Sequence, residues 1–219
     1  FDGLDFFNYK MNVFNETTIF GNNIKSICQD DYGDIWVGTE LGLSKLDTRT
    51  RKFKRIVNTK YNLKDIEKIF NDKDGNIWFR NSDGIYKYEQ TSNEVECISC
   101  GDNLEINSFS NIYSTHSNEI LISTFSNLYR YDSDSDTLRS MLNPNNSTIE
   151  ISFVTDIIEI DNTLWIGSKN GLIKLPYDPK LKSHVYKAKT SSLVNDDIRD
   201  IEYSKKKNEI WISTKNGIS

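Results

Sequence analysis

Few residues of the kinds that carry catalysis or covalent cross-links occur in this chain of 219 residues, which has two histidines, three cysteines and three prolines. Three cysteines, Cys28, Cys97 and Cys100, make an odd number and do not describe a disulfide framework. Cys97-x-x-Cys100 has the spacing of a redox or zinc pair, but no second pair or nearby histidine completes such a site. These two are expected to be ordinary side chains on an edge strand. His116 and His184 stand apart from each other and from any serine–aspartate partner, so no acyl-transfer triad can be assembled. No run approaches the ~20 apolar residues that a membrane-spanning helix needs. The N-terminus lacks the charged, apolar, small-residue order of a signal peptide, so any such peptide is expected to be absent from this chain or already removed. Basic residues are in deficit as well: 27 Lys and Arg against 32 Asp and Glu give a net charge of −5. A nucleic-acid partner asks for a basic face, which this balance does not supply.

What is present is a repeat. Hydrophobic residues make up 37% of the chain and aromatics 12%, enough for a real core. The clearest copy runs Ile24-x-x-Ile27, Asp30 to Gly33, Ile35-Trp36-Val37-Gly38-Thr39, Gly42-Leu43 and Leu46-Asp47. Further copies centre on Trp78, Leu121, Trp165 and Trp211, at spacings of 42, 43, 44 and 46 residues. A period of about 40–45 residues is that of a propeller blade and exceeds the leucine-rich period. Each copy reads as four short strands. The first carries I-x-x-I. A tight turn follows, best seen in Asp74-Gly75-Asn76, where Asp-Gly accepts positive φ. The second strand is apolar on both faces, as a strand buried between sheets must be. The fourth, as in Arg51 to Ile56 and Lys182 to Lys189, is charged in the manner of a protected edge. The spacing of six between tryptophan and glycine holds in all four tryptophan copies, and the length changes fall in turns. Pro144, Pro176 and Pro179 are expected in connections. The fold class that follows is all-β, a β-propeller of four-stranded blades, with residues 1–219 forming one propeller region of about five units. A seven-bladed ring needs on the order of 300 residues at this period, so the chain reads as a fragment of one.

At these residues the chain resembles the two-component regulator propeller repeat, whose pattern is roughly I-x-x-I-x-x-D-x-x-G-x-I-W-x-G-T-x-x-G-L-x-x-Y/L-D. Ile24 to Asp47 follows it almost residue for residue, copies four and five follow it well, copy two less closely, and copy three lacks both the tryptophan and the glycines. The resemblance implies an extracytoplasmic, periplasmic sensor region of a hybrid two-component histidine kinase, with no kinase machinery in this segment. It also implies a signal drawn from polysaccharide breakdown.

Little else in the sequence suggests chemistry. The four tryptophans recur at one structural position and are expected in the core between blades, not as sugar platforms. Asp132-x-Asp134-x-Asp136 is reminiscent of a calcium loop but lacks its glycine and glutamate, and it aligns with the third-to-fourth-strand turn Asp47 to Thr50. Asp31-x-Gly33-x-x-Trp36 is reminiscent of an Asp-box, in a register the other copies do not keep. No catalytic residue, metal site or cofactor is expected. Arg80 stands out, because its counterparts are Gly38, Ser123, Gly167 and Ser213. A long cation where packing asks for a small residue breaks a local rule, and such breaks are enriched at functional sites. If the strands run outward, Arg80, Asn81 and Ser82 share a rim with Lys169, Asn170, Asn195 and Asp196. That rim is rich in amides, hydroxyls and single charges suited to a polyhydroxyl ligand. The expected function is a non-enzymatic sensor of a carbohydrate-like ligand. A structural or dimerisation propeller, pairing through its edges or faces, is the first alternative and a propeller hydrolase or lyase the second. No membrane contact is expected of this segment itself.

Overall fold

The structure is a computed structural model that describes residues 6–100, 109–115, 117, 119–135, 137–142, 149, 151–178 and 180–219, with the backbone alone at 100, 109 and 110. His116, Asp136, Pro144 and Pro179 lie outside the described residues. Among the described residues every regular element is a strand. The chain divides into two compact units, residues 1–107 and 108–219.

Unit one holds two sheets, each a meander of four antiparallel strands in chain order. The first comprises β1 (Ile24–Gln29), β2 (Ile35–Thr39), β3 (Leu43–Asp47) and β4 (Lys52–Ile56). The second comprises β5 (Lys68–Asn71), β6 (Ile77–Asn81), β7 (Gly84–Glu89) and β8 (Glu94–Cys100). β2 and β6 are buried along nearly their whole length, which is why both faces of these strands are apolar. The two sheets meet where Ile66 and Ile69 press on β2. A Cβ built on Gly38 would lie 2.6 Å from Ile66 Cγ2 and 2.9 Å from Ile69 Cδ1. The close approach therefore excludes any side chain there. A hydrogen bond from the Ile69 amide to Ser26 Oγ (3.0 Å) and ring contact between Trp36 and Tyr88 complete the seam.

Unit two holds three sheets. The first two are β9 (Phe109–Ser114), β10 (Ile120–Thr124), β11 (Leu128–Asp132), β12 (Thr137–Ser140), then β13 (Val154–Ile160), β14 (Thr163–Ser168), β15 (Gly171–Pro176) and β16 (His184–Tyr186). The third has three strands, β17 (Ile198–Ser204), β18 (Glu209–Thr214) and β19 (Gly217–Ile218). The seam of unit one is repeated here: Ile198 and Ile201 press on Gly167, and the Ile201 amide donates to Asp156 Oδ2 at 3.0 Å. The shortened turn between β13 and β14 is a two-residue hairpin, Asp161-Asn162, with φ of +48° and +56°.

Three sequence expectations need correction. Trp36 and Trp78 are core, at 0% and 1% exposure, but Trp165 is only partly buried and Trp211 is 47% exposed. Trp36 is covered by Tyr88 of the following sheet, whereas among the described residues no sheet follows β17 to β19 to cover Trp211. Pro176 is the last residue of β15, opposite Thr163, and lies in a strand instead of a connection. At a strand end its missing N–H costs little. Cys97, on the outermost strand β8, is disulfide-bonded, whereas Cys28 is a free thiol whose pKa burial pushes up to about 12.

Candidate functional site

The seven candidate residues fall into two groups, one in each unit. In unit one Arg80, Asn81 and Ser82 lie at the end of β6. Cross-strand pairing puts Lys68 opposite Arg80, where the other sheets pair Ser26 with Gly38, Asn111 with Ser123, Asp156 with Gly167 and Asp200 with Ser213. The structure thus keeps the register that singles Arg80 out. Its guanidinium is ion-paired, Nη2 lying 2.6 Å from Glu67 Oε2, and the side chain is 18% exposed. Its Nε is buried with no hydrogen-bond partner.

Asn81 is almost fully buried, and its work is structural. Oδ1 accepts the amides of Asp83 and Gly84, while Nδ2 donates to the carbonyls of Asn62 and Lys64. It replaces the Thr39, Thr124, Ser168 and Thr214 hydroxyls that close the same turn in the other sheets. Ser82 is exposed and donates to Asp83 Oδ1.

In unit two the turn carrying Lys169 and Asn170 and the loop carrying Asn195 and Asp196 are joined by a hydrogen bond from the Gly171 amide to the Asp196 carbonyl, at 2.9 Å. Asp196 Oδ1 accepts the Ala188 amide, Asn195 Oδ1 accepts the Asp197 amide, and Asn170 Oδ1 accepts from Lys187 Nζ. Three of these four side chains are therefore occupied in shaping their own loops. Lys169 is the exception, its ammonium exposed and 4.2 Å from the Phe153 ring centroid. Asp132, at the start of the segment read as a turn, accepts the Asp134 amide and pairs with Arg139, as a turn residue does.

Sequence reasoning passed over the electrostatic centre of unit one. Asp30 has a fully buried carboxylate: Oδ1 caps the turn by accepting the Tyr32 and Asp34 amides, and Oδ2 accepts the Trp36 indole N–H at 2.9 Å. Asp72 does the same for Trp78 at 2.7 Å. Lys45 Nζ lies 2.9 Å from Asp30 and 3.2 Å from Asp34, above the Trp36 ring. Burial opposes the Asp30 charge, but the hydrogen bonds from Trp36, Lys45 and Asp34 outweigh it and hold the pKa below the usual value. The signal was available as D-x-x-G-x-x-W in copies one and two, with a cation nine residues after each centre: Lys45, Lys87, Arg130 and Lys174. Chemically this cluster is a saturated structural knot with no free group to offer a ligand.

A meander of four-stranded sheets seated isoleucine against glycine defines a β-propeller, and known structures agree. The chain superposes on the extracellular domain assigned to the hybrid two component system BT3049 of B. thetaiotaomicron, with TM-score 0.72 and 21% identity, covering 96% of this chain and 28% of that one. The corresponding domain of BT4673 from the same organism gives TM-score 0.70 and 18% identity, covering 90% and 27%. Virginiamycin B lyase from Staphylococcus aureus gives TM-score 0.64 and 15% identity, covering 90% and 69%. The chain thus spans under a third of the length of these two extracellular domains. A comparison with curated protein sequences finds no match. Residues 18–40, which hold β1 and β2, match the family model described as "Two component regulator propeller", so this segment is similar to a repeat of that family.

Proposed function

We propose that this chain is a non-enzymatic sensing segment of an extracytoplasmic two-component signalling protein, and that it takes part in recognising a carbohydrate-like ligand. The observation that carries the reading is Arg80: a cation at the one strand position that every other sheet keeps small, with a buried Nε left without a partner. Its fork of donors suits vicinal hydroxyls or a carboxylate. The match to the regulator propeller family at residues 18–40 supports the signalling context. The disulfide at Cys97 supports an oxidising, extracytoplasmic compartment. The described residues bring together no nucleophile and base in a cleft, which favours binding over turnover.

Calorimetry with a panel of neutral and acidic oligosaccharides tests the reading. At least one should bind, and Arg80→Gly should weaken it about tenfold or more, the loss of a charged hydrogen bond, with thermal stability retained. Turnover of any panel member would replace the sensor by an enzyme. The second reading, a scaffold or dimerisation propeller, is favoured by the ion pair that already engages Arg80 with Glu67. It gains if no saccharide binds and Arg80→Gly lowers stability instead.

A further inference from the structure

The knot of Asp30, Trp36 and Lys45 has an incomplete copy in unit two. In the first sheet Trp36 and Lys45 are cross-strand partners, and both donate to one oxygen, Asp30 Oδ2, each at 2.9 Å. In the fourth sheet Trp165 and Lys174 are partners in the same register. The Lys174 ammonium stands 5.3 Å from the indole centroid, as Lys45 does from that of Trp36. The carboxylate is what differs. Asp30 lies two residues past Cys28, which is opposite Trp36, and Asp72 lies two past Phe70, which is opposite Trp78. Two past Ile158, opposite Trp165, stands Ile160. The other third-strand cations also have carboxylates, Lys87 pairing with Glu96 and Arg130 with Glu119. Among the described residues, no carboxylate lies within ion-pair distance of Lys174 and no acceptor meets the Trp165 indole N–H.

Both residues open onto a cleft between the fourth and fifth sheets. A hollow of about 220 Å³ is lined by Ile160, Trp165 and Lys174 on one side and by Tyr203 and Ile210 on the other. Thr163 and Lys174 also line an adjoining hollow of about 400 Å³, with Pro176, Leu181 and Tyr186 as its apolar wall and the exposed Lys182 and His184 beside them. A cation over an indole with no counter-ion, next to an unmet N–H, breaks a rule that three other sheets keep, and such breaks are enriched at functional sites. What completes the pair is an anionic oxygen, which the first sheet takes from its own chain. Asp161, on the hairpin lining the first hollow, adds negative charge there. The single ammonium therefore balances a monoanionic carboxylate better than a phosphate dianion. The adjoining hollow falls within the range of about 300–1,000 Å³ for small-molecule pockets, which leaves room for a ring.

We infer that this cleft binds the carboxylate of a small ring acid, one oxygen lying between Trp165 Nε1 and Lys174 Nζ in the place that Asp30 Oδ2 takes in the first sheet, with the ring against Leu181 and Tyr186. The site stands on these two donors and does not rest on the carbohydrate reading. Proton–nitrogen correlation NMR of the full chain tests it through the Trp165 indole N–H, assigned by its loss in Trp165→Phe. Titration with methyl β-glucuronide, a sugar acid, or with cyclohexanecarboxylate, a ring acid that is not a sugar, should move this resonance. The Trp36 indole, whose acceptor is already in place, should not move, and methyl β-glucoside should move neither. Lys174→Met keeps the aliphatic stem over the indole and should weaken binding about tenfold or more, the loss of a charged hydrogen bond, with the thermal midpoint retained. Ile160→Asp returns a carboxylate to the chain and should block the titration. A response to the glucuronide alone assigns the acid to a sugar, and a response to cyclohexanecarboxylate assigns it to ring acids in general; the site stands in both cases. A Trp165 resonance that neither carboxylate moves, that inorganic phosphate moves equally well, or that still titrates in Lys174→Met overturns it. Each of those results leaves the calorimetric test of the carbohydrate reading independent.

Discussion

At the scale of the residue, one side-chain type has opposite roles in two places. Trp36 is fully buried, hydrogen-bonded through its indole to Asp30 and covered by Tyr88, whereas Trp211 is 47% exposed. Trp36→Ala should therefore cost about 3–5 kcal/mol, the range for truncating a large buried aromatic. Trp211→Ala should cost less than about 1 kcal/mol. Urea unfolding of the two variants checks the contrast. Asp30 gives a pH prediction. Because its folded pKa is depressed, its contribution is complete above the unfolded value near 4 and is lost as pH falls through the folded value. Asp30→Asn should lower stability at neutral pH by about 1–3 kcal/mol, the cost of weakening hydrogen bonds to a charged group. It should also flatten the acid limb of a plot of unfolding midpoint against pH. An acid limb identical to wild type would mean that other carboxylates carry it.

At the scale of the element, glycine serves two separate purposes, and the two can be told apart by substitution. Gly38 leaves room for the isoleucines of the next sheet, with its would-be Cβ 2.6 Å from Ile66. Gly75 has nothing within 4 Å but stands at φ +80° in the turn capped by Asp72. Gly38→Ala should cost about 1–3 kcal/mol through overpacking and should loosen the seam between the sheets. Gly75→Ala should cost about 1–2 kcal/mol through backbone conformation alone, leaving the seam intact. Hydrogen exchange of the Ile69 amide, which bonds to Ser26 across that seam, separates the two: protection should fall in Gly38→Ala to a degree beyond its global destabilisation, and in Gly75→Ala only in step with it. The strand periodicity, the turns and the apolar second strands were all legible in the sequence, because each follows from local sterics and from burial that recurs every 42 to 46 residues. The extent of burial at each repeat was not, since it depends on what the neighbouring sheet supplies.

At the scale of the whole molecule, apolar residues are exposed among the described residues of the first and the fifth sheets. Ile24 and Ile27 of β1 are 46% and 59% exposed, whereas their counterparts Ile66, Ile69, Ile198 and Ile201 are at most 3% exposed. On the fifth sheet, Trp211 and Ile218 are exposed beside Ser213, the small residue on which a following I-x-x-I strand would seat. An I-x-x-I strand seats on the small residue of the sheet before it at Gly38 and Gly167, so one copy of the chain should dock its first sheet on the fifth sheet of another. Light scattering at rising concentration should show self-association, and Ile24→Thr with Ile27→Thr should abolish it. A wild-type chain that remains monomeric would sink this pairing.

By itself the sequence determined the all-β meander, the positions of the blades and the oddity of Arg80, because these are written in spacing and residue size along one strand of text. Only the tertiary structure decided that Asn81, Asn170, Asn195 and Asp196 are bound up in their own loops, and that Asp30 and Lys45 form a buried knot. A polar side chain in a loop looks the same in sequence whether its donors and acceptors are spent or free. Which it is depends on backbone amides and side chains that reach it from other strands, at separations from two residues to more than forty.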